Sequence, residues 1–175
     1  IIPVVSSIRR KYIPVGFLDK DTIILNSAHV MYNVEPWIFS ILSSLIHNIW
    51  IKIVCGKLRN DYRYSSTIGY NNFPLTKISK NLKEELTLSA FAIIEEREKH
   101  SDKTMAELYE PDKMPDGLRE AHHLNDLAVE KCYRPTPFTH DDERLQYLFS
   151  LYEKMIELEN SEGTLFAEAA QKKRK

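Results

Sequence analysis

The ten residues Tyr70-Asn71-Asn72-Phe73-Pro74-Leu75-Thr76-Lys77-Ile78-Ser79 divide the chain into two stretches of different character. Before them, short runs of β-branched and aromatic residues alternate with turn residues, a pattern typical of short strands. After them, apolar residues recur at steps of three and four, which is typical of amphipathic helices. The sequence therefore predicts an α+β fold, with a mixed α/β portion over residues 1–75 and an all-α domain over residues 76–175.

Several short strands and one helix are predicted in the first portion. The β-rich runs cover residues 2–5, 12–18, 22–25, 29–32 and 62–68. A helix begins at Pro36, because proline is tolerated at the first helical position, where its missing N–H loses no partner. The apolar residues of this helix form one face, and Gly56 ends it; they are Ile38, Ile41, Leu42, Leu45 and Ile49.

Four helices are predicted in the second portion. The first covers residues 79–99, and a short helical turn opens at Thr104, where Glu107 completes a capping-box pattern. The last helix has Thr139 as its N-cap. The third begins at Pro115, and its inward stripe comprises Leu118, Ala121, Leu124, Asn125, Ala128 and Cys132.

The composition places the chain among ordinary globular proteins. Apolar residues make up 43% and charged residues 28%, which excludes disordered and low-complexity classes. No apolar run reaches the roughly 18 residues of a membrane span, so we expect no membrane partner. Two cysteines, Cys55 and Cys132, make no disulfide framework, which favours a reducing, cytoplasmic location. Because the chain begins Ile1-Ile2-Pro3 without an initiator Met, we expect it to be part of a longer polypeptide.

Charge is distributed unevenly along the chain. Residues 1–75 contain 8 Lys and Arg against 4 Asp and Glu, whereas residues 76–175 contain 16 against 21. The formal net charge of −1 thus divides into +4 and −5. The first portion is therefore the better candidate for binding a polyanion, and the acidic second portion favours a protein partner.

The chain carries no recognisable catalytic, cofactor-binding or metal-binding motif. Its five glycines are isolated, so no glycine-rich loop can bind a phosphate or a dinucleotide. No lysine follows an acidic residue by two positions, so the acidic-x-Lys element of metal-dependent nucleases is missing. The pair His122-His123 points ~100° apart on a helix. It has no further ligands at zinc spacing, so we expect one buried and one exposed histidine there.

One segment combines the features of a DNA-reading surface. Gly56-Lys57-Leu58-Arg59-Asn60-Asp61-Tyr62-Arg63-Tyr64-Ser65 holds three cations, one carboxylate, two tyrosines and a serine. Arg59 and Asp61 lie two positions apart, so on an extended segment they would project from one face. Arginine donates twice to guanine O6 and N7, and aspartate accepts from cytosine N4, so the pair suits a G·C base pair. A local salt bridge on a solvated edge is the alternative interpretation.

Other polar residues of the first portion are candidates for contacts with DNA phosphates. They are Lys57, Arg63, Ser65, Arg9, Arg10 and Lys11. For the basic cluster of residues 9–11, a solvated surface without a ligand is an equal alternative. Tyr62 and Tyr64 are predicted to pack within the protein rather than to stack on bases, and Trp37 and Trp50 are predicted to lie in the core.

A series of ordered motifs resembles the MmeI-like family of single-chain type II restriction–modification enzymes and their methyltransferase relatives. In the first portion the motifs are Tyr12-Ile13-Pro14-Val15-Gly16-Phe17, Ile46-His47-Asn48-Ile49-Trp50-Ile51-Lys52, the segment 56–65 and Tyr70-Asn71-Asn72-Phe73-Pro74. In the second they are Leu108-Tyr109, Met114-Pro115, Leu118-Arg119-Glu120-Ala121-His122, Tyr133-Arg134-Pro135-Thr136-Pro137-Phe138 and Leu148-Phe149-Ser150-Leu151-Tyr152-Glu153-Lys154. The resemblance covers roughly residues 2–156. It implies the C-terminal portion of a target recognition domain, over residues 1–75, followed by the helical C-terminal domain of such a protein.

The resemblance also implies what the longer protein does. Such proteins methylate adenine N6 in DNA with S-adenosylmethionine, often with a fused nuclease, which would use Mg²⁺. Catalytic and cofactor residues would lie outside this chain, which would bind double-stranded DNA and pack against the methyltransferase domain. In the family, the residues at the positions of Arg59 and Asp61 form a charge pair that helps to select one base pair. Two other functions remain as alternatives: a specificity subunit of a type I-like restriction system, and a helical protein-interaction module.

Overall fold

The strands of the first portion are short and form two small antiparallel sheets. The computed structural model describes residues 1–172, and the side chains of residues 1–160. In one sheet, β1 (Ile2–Pro3) pairs with β3 (Ala28–His29). In the other, β2 (Val5–Ser6) pairs with β5 (Asp61–Arg63), which also pairs with β4 (Lys57–Leu58). The hairpin β4–β5 is therefore attached to the start of the chain.

The predicted strands at residues 12–18 and 22–25 are wrong. Neither segment forms a strand, and the first instead inserts three side chains into the core: Tyr12, Ile13 and Val15. The predicted strand at residues 2–5 is divided at Val4, whose N–H and carbonyl bond to two different segments. β-branched and aromatic side chains are found in strands and also in core-packed segments without strand pairing. Their pattern alone could therefore not distinguish a strand from a buried irregular segment.

The helix predicted from Pro36 to Gly56 is broken in the middle. α1 (Pro36–Leu42) and α2 (Leu45–Val54) meet at an angle of 56°. At the break, the Ser44 hydroxyl accepts a hydrogen bond from the backbone N–H of His47 at 3.3 Å. This serine cap satisfies a backbone donor that the start of α2 would otherwise leave unpaired in the core. No single helix among residues 1–172 is long and apolar enough to cross a membrane, although the bent pair α1–α2 has the required length and composition.

Helices make up the described part of the second portion, as predicted. They are α3 (Lys80–Glu98), α4 (Met105–Leu108), α5 (Asp116–Glu130) and α6 (Asp141–Lys172). The capping box of Thr104 and Glu107 is present at the start of α4. Together with the short strands of the first portion, these helices confirm the α+β fold class.

Two details of these helices differ from the prediction. Leu124, predicted to face inward, is 54% exposed, whereas its neighbour Asn125 is fully buried. At the start of α6, the ring nitrogen Nδ1 of His140 accepts a hydrogen bond from the backbone N–H of Glu143, so His140 replaces Thr139 as the cap. The Thr139 hydroxyl instead donates to the Glu143 carboxylate at 3.0 Å. The competing carboxylate explains the shift by one residue.

A buried hydrogen-bond network, which we call the junction network, joins the two portions. Asp126 of α5 accepts hydrogen bonds from the Tyr12 hydroxyl and from the backbone N–H of Leu45, each at 2.7 Å. Beside it, the Asn125 amide donates to the carbonyl oxygen of Ser40 at 2.9 Å. Around this network α1 packs on α3, and α2 packs on α6. The start of α2 and the segment at Tyr12 are therefore held against the helical domain.

The extended segment predicted at residues 62–68 is correct only for its first residues. β5 ends at Arg63, and a π-helical turn (Ser66–Tyr70) follows almost at once. The Ser65 hydroxyl accepts a hydrogen bond from the backbone N–H of Ile68 at 3.2 Å and caps this turn. Serine commonly competes for local backbone donors in this way, and here it ends the strand.

The π-helical turn lies against α2 at a glycine. The carbonyl oxygen of Gly69 accepts a hydrogen bond from the Trp50 indole N–H at 3.0 Å. A Cβ atom at Gly69 would lie 2.5 Å from Ile51 Cδ1 and 2.7 Å from Cys55 Sγ. A residue with a Cβ atom could therefore stand here only if the Ile51 and Cys55 side chains moved.

We expect Gly69→Ala to lower the free energy of unfolding by about 1–3 kcal/mol, because the added methyl group overpacks this contact. Chemical or thermal denaturation measures the change. Gly56→Ala is the matched control, since a Cβ there meets no atom within 4 Å and should leave stability nearly unchanged. Equal stability of the two variants would show that the close approach at Gly69 is not needed.

Candidate nucleic-acid interface

The hairpin β4–β5 presents Arg59 and Asp61 at its tip. Leu58 pairs with Asp61, so only Arg59 and Asn60 form the connecting turn. Arg59 has φ 59°, in the left-handed region that favours glycine. A side chain held in this region costs of order 1 kcal/mol or more and is retained where the surrounding structure imposes it. The chain thus places an exposed guanidinium where a glycine would relieve strain.

Arg59 and Asp61 were predicted to project from one face of an extended segment, and this prediction is wrong. Arg59 lies in the turn of the hairpin, and Asp61 is the first residue of β5. Both residues nevertheless lie at the tip of the same hairpin, one on each side of Asn60. Joint base reading by the pair therefore stays a prediction.

The Asp61 carboxylate has a partner within the protein. Its Oδ1 atom accepts a hydrogen bond from the backbone N–H of Ile8 at 3.2 Å. Within the part of the chain that the structure describes, its Oδ2 atom has no hydrogen-bond partner, and the residue is only half-buried. One oxygen therefore holds the hairpin to residue 8, and the other is available to a ligand.

Three cations surround the hairpin. Lys52 and Lys57 both lie over the Tyr62 ring, with their ammonium groups 5.8 and 5.9 Å from its centroid. Arg63 is exposed on β5, and its side chain has no ion pair with any residue that the structure describes. Burial lowers the pKa of Lys52 from its usual value. The base of the hairpin is therefore positively charged, while Tyr62 serves as a packing surface for the two lysines.

The basic cluster of residues 9–11 is bound largely to the protein itself. Arg9 forms ion pairs with Glu110 at 3.2 Å and with Asp112 at 3.0 Å. Arg10 donates to the carbonyl oxygen of Ala106 at 3.3 Å. The Lys11 ammonium lies 5.1 Å from the centroid of its neighbouring tyrosine ring and is exposed. Of the three cations, Lys11 is the one that is not bonded to the helical domain.

Tyr64 anchors the hairpin in the core. It is only 4% exposed, and its hydroxyl is hydrogen-bonded to His47 Nε2 at 3.0 Å. The His47 ring also meets Phe73 edge-on. Packing was predicted for Tyr64 and core burial for Trp50, and both are confirmed. Trp37, also predicted as core, is only partly buried, and its ring lies under the Lys83 ammonium.

Sequence reasoning missed several polar residues that hold the site in place. His47, Asn48 and Asp126 are all buried, and the Asn48 amide donates to the carbonyl oxygen of Lys11. The available signal was a pair of polar residues interrupting the apolar face of α2, since buried polar groups are nearly always hydrogen-bonded. Elsewhere, His122 is buried and His123 exposed, as predicted. Among the described residues, no group of three or more His, Cys, Asp or Glu could hold a metal ion.

Comparisons with known proteins cover nearly the whole described chain. Residues 1–77 match the family model described as "MmeI, target recognition domain", and residues 78–158 match "MmeI, C-terminal domain". A protein named DNA methyltransferase A from Bacillus subtilis (strain 168) is 42% identical over 157 residues, which are 90% of this chain and 18% of that protein. This chain is similar to a solved structure of the type IIL restriction–modification enzyme MmeI in complex with DNA, with a TM-score of 0.86 and 36% sequence identity. The matched region is 89% of this chain and 21% of the MmeI chain. The chain thus spans about a fifth of the length of these relatives.

The buried histidine behind the hairpin gives a pH test of the anchor. Burial lowers the pKa of His47 to about 3, whereas an unfolded histidine titrates near 6.5. As pH falls below about 6.5, His47 is therefore protonated in the unfolded chain but not in the folded one, and the free energy of unfolding decreases. We expect His47→Gln to make this decline shallower by up to about 1.4 kcal/mol per pH unit. His122, whose pKa burial also lowers to about 3, stays in both proteins and contributes the same slope.

Denaturation of both proteins between pH 7 and pH 4 measures the difference. Parallel stability curves for His47→Gln and the unchanged protein would contradict a neutral, buried histidine at this position.

Proposed function

The chain belongs to the MmeI-like family of restriction–modification proteins, and we propose that it recognises the DNA target sequence on behalf of a longer protein. The observation that carries this proposal is its similarity, over 89% of its length, to MmeI in a structure that contains DNA. The exposed guanidinium of Arg59 and the Oδ2 atom of Asp61 at the hairpin tip support it, because both can form hydrogen bonds with base edges. Both matching family models are MmeI models, which favours this function over a type I-like specificity subunit or a helical interaction module.

The longer protein would methylate adenine N6 with S-adenosylmethionine. Support comes from the Bacillus subtilis relative, which is named as a DNA methyltransferase, and from MmeI, which is described as a restriction–modification enzyme. A fused nuclease using Mg²⁺ would account for a restriction activity. The sequence of this chain contains no glycine-rich motif of the kind that binds a cofactor, because its five glycines are isolated. The methyltransferase domain would therefore lie elsewhere in the longer protein, which would act on DNA in the cytoplasm.

The hairpin would read one G·C base pair in the major groove. The Arg59 guanidinium would donate to guanine O6 and N7, and the Oδ2 atom of Asp61 would accept from cytosine N4. The hydrogen bond from Ile8 to Oδ1 would hold the carboxylate in place while it does so. The target adenine would then be presented for flipping into the catalytic pocket of the methyltransferase domain.

Cations around the hairpin would bind the phosphates on either side. Lys57 and Arg63 are exposed on its two strands, and Lys11 is exposed three residues after Ile8, whose backbone N–H bonds to Asp61. Arg9 and Arg10 would have to leave their partners in the helical domain to do the same. The Ser65 hydroxyl already accepts a hydrogen bond from the backbone N–H of Ile68, so it would bind a phosphate only in addition to capping the π-helical turn. The acidic balance of the helical domain favours packing against the methyltransferase domain rather than against DNA.

Exchanging the two charges tests base reading in the full-length protein. With Arg59→Asp and Asp61→Arg together, we expect the methylated sequence to change at one base pair only, because the donor and the acceptor have exchanged sides. Methylation-site mapping measures this. Asp61→Asn is the milder variant, since its amide oxygen can still accept from Ile8 while the charge is lost. It should relax selection at the same position by about 1–3 kcal/mol. An unaltered recognition sequence in both variants would exclude base reading by this pair.

Phosphate contacts are tested by the salt dependence of binding. Lys57→Ala or Arg63→Ala should weaken binding to all duplexes alike and lower the slope of log K against log salt by roughly one each. Lys80→Ala is the control, because Lys80 is an exposed lysine at the start of α3 in the acidic domain. A change of preferred sequence at constant affinity in either hairpin variant would assign that residue to the bases instead.

A further inference from the structure

Residues 7–11, which we call the clasp loop, touch both the hairpin and the helical domain. On the hairpin side, the backbone N–H of Ile8 donates to Asp61 at 3.2 Å. On the helical side, the Arg9 guanidinium binds Glu110 and Asp112 at 3.2 and 3.0 Å. Arg10 is held on the same side through the carbonyl oxygen of Ala106, whereas the carbonyl oxygen of Lys11 accepts a hydrogen bond from the Asn48 amide of α2. The loop thus connects the acidic segment after α4 to the carboxylate at the hairpin tip.

We propose that Arg9 is a positioning residue, through which Glu110 and Asp112 of the helical domain set the placement of the Asp61 carboxylate. The proposal rests on the proposed function, since it concerns how the base-reading pair is held. It gives the helical domain a part in sequence selection, although that domain would touch no base.

The local charge argues against phosphate binding by Arg9. Two carboxylates lie within 3.2 Å of its guanidinium, so the three groups together carry a charge of −1. A phosphate that approached Arg9 would also approach Glu110 and Asp112, and like charges at such distances repel. The same ion pairs are exposed, with 61% of the Arg9 side chain accessible. Exposed pairs of this kind change an equilibrium by up to about five-fold each.

If Arg9 acts through Asp61, its loss should affect the selection of one base pair rather than the overall affinity for DNA. When the ion pairs are lost, the loop keeps only its contacts at Arg10 and Lys11, residue 8 is held less firmly, and the hydrogen bond that orients Asp61 weakens. Discrimination at one base pair should therefore suffer, whereas contacts to phosphates made by Lys57 and Arg63 are left intact. A phosphate-binding Arg9 would have the opposite effect, with equal loss of affinity on every duplex.

A charge-exchange experiment in the full-length protein separates the two roles. The readout is the ratio of binding to the target duplex and to a duplex altered at the base pair assigned to Asp61, at one salt concentration. Arg9→Glu should lower this ratio by up to about five-fold, and Arg9→Gln should lower it less. Adding Glu110→Gln and Asp112→Arg to Arg9→Glu should restore the ratio, because a pair of opposite charges forms again. Glu110→Gln with Asp112→Arg alone is the control for the added positive charge.

Each other outcome overturns the positioning role. Uniform loss of affinity that the exchange does not restore would make Arg9 a phosphate contact. An unchanged ratio in both Arg9 variants would make the ion pairs irrelevant to recognition. If the unchanged protein itself preferred no duplex, the proposed function would fail first, which distinguishes that failure from failure of the clasp loop.

Discussion

The buried carboxylate of Asp126 is the constraint on which the arrangement of the two portions depends. It accepts hydrogen bonds from Tyr12 and from the start of α2, so it fixes two separate segments of the first portion against α5. Burial raises its pKa to about 6, although both hydrogen bonds lower it. A charged or polar group of this kind is costly to bury unless its partners are in place. The junction network therefore favours a single relative placement of the recognition portion and the helical domain.

Hydrogen bonds from α2 connect this junction to the hairpin and to the clasp loop. α2 carries His47, which is hydrogen-bonded to Tyr64 just after β5, and Asn48, which is hydrogen-bonded to Lys11 at the end of the clasp loop. The hairpin tip beyond them is exposed and includes a strained turn at Arg59. Backbone strain of this kind clusters at functional sites, where the surrounding structure holds the strained residue in place. Arg59 and Asp61 thus lie on a hairpin whose last strand is followed directly by the buried Tyr64, which is hydrogen-bonded to α2.

Much of this organisation was predictable from the sequence. Three-residue and four-residue spacing located the helices of the second portion, and turn residues marked the change of character near Pro74. The break at Ser44, the glycine contact at residue 69 and the turn at Arg59 were not predictable, because each depends on what another segment does nearby. The candidate residues themselves were identified from charge and spacing, but their partners were not. The ion pairs of Arg9 join positions about a hundred residues apart, which no local pattern records.

Base reading requires the hairpin tip to lie against base edges in a groove of duplex DNA. The decisive experiment is a crystal structure of the full-length protein bound to its target duplex. We expect the Arg59 guanidinium and the Asp61 Oδ2 atom to lie within about 3.2 Å of base-edge atoms of one G·C pair. A complex in which the tip faces solvent or the methyltransferase domain, with other residues in the groove, would exclude base reading by the hairpin.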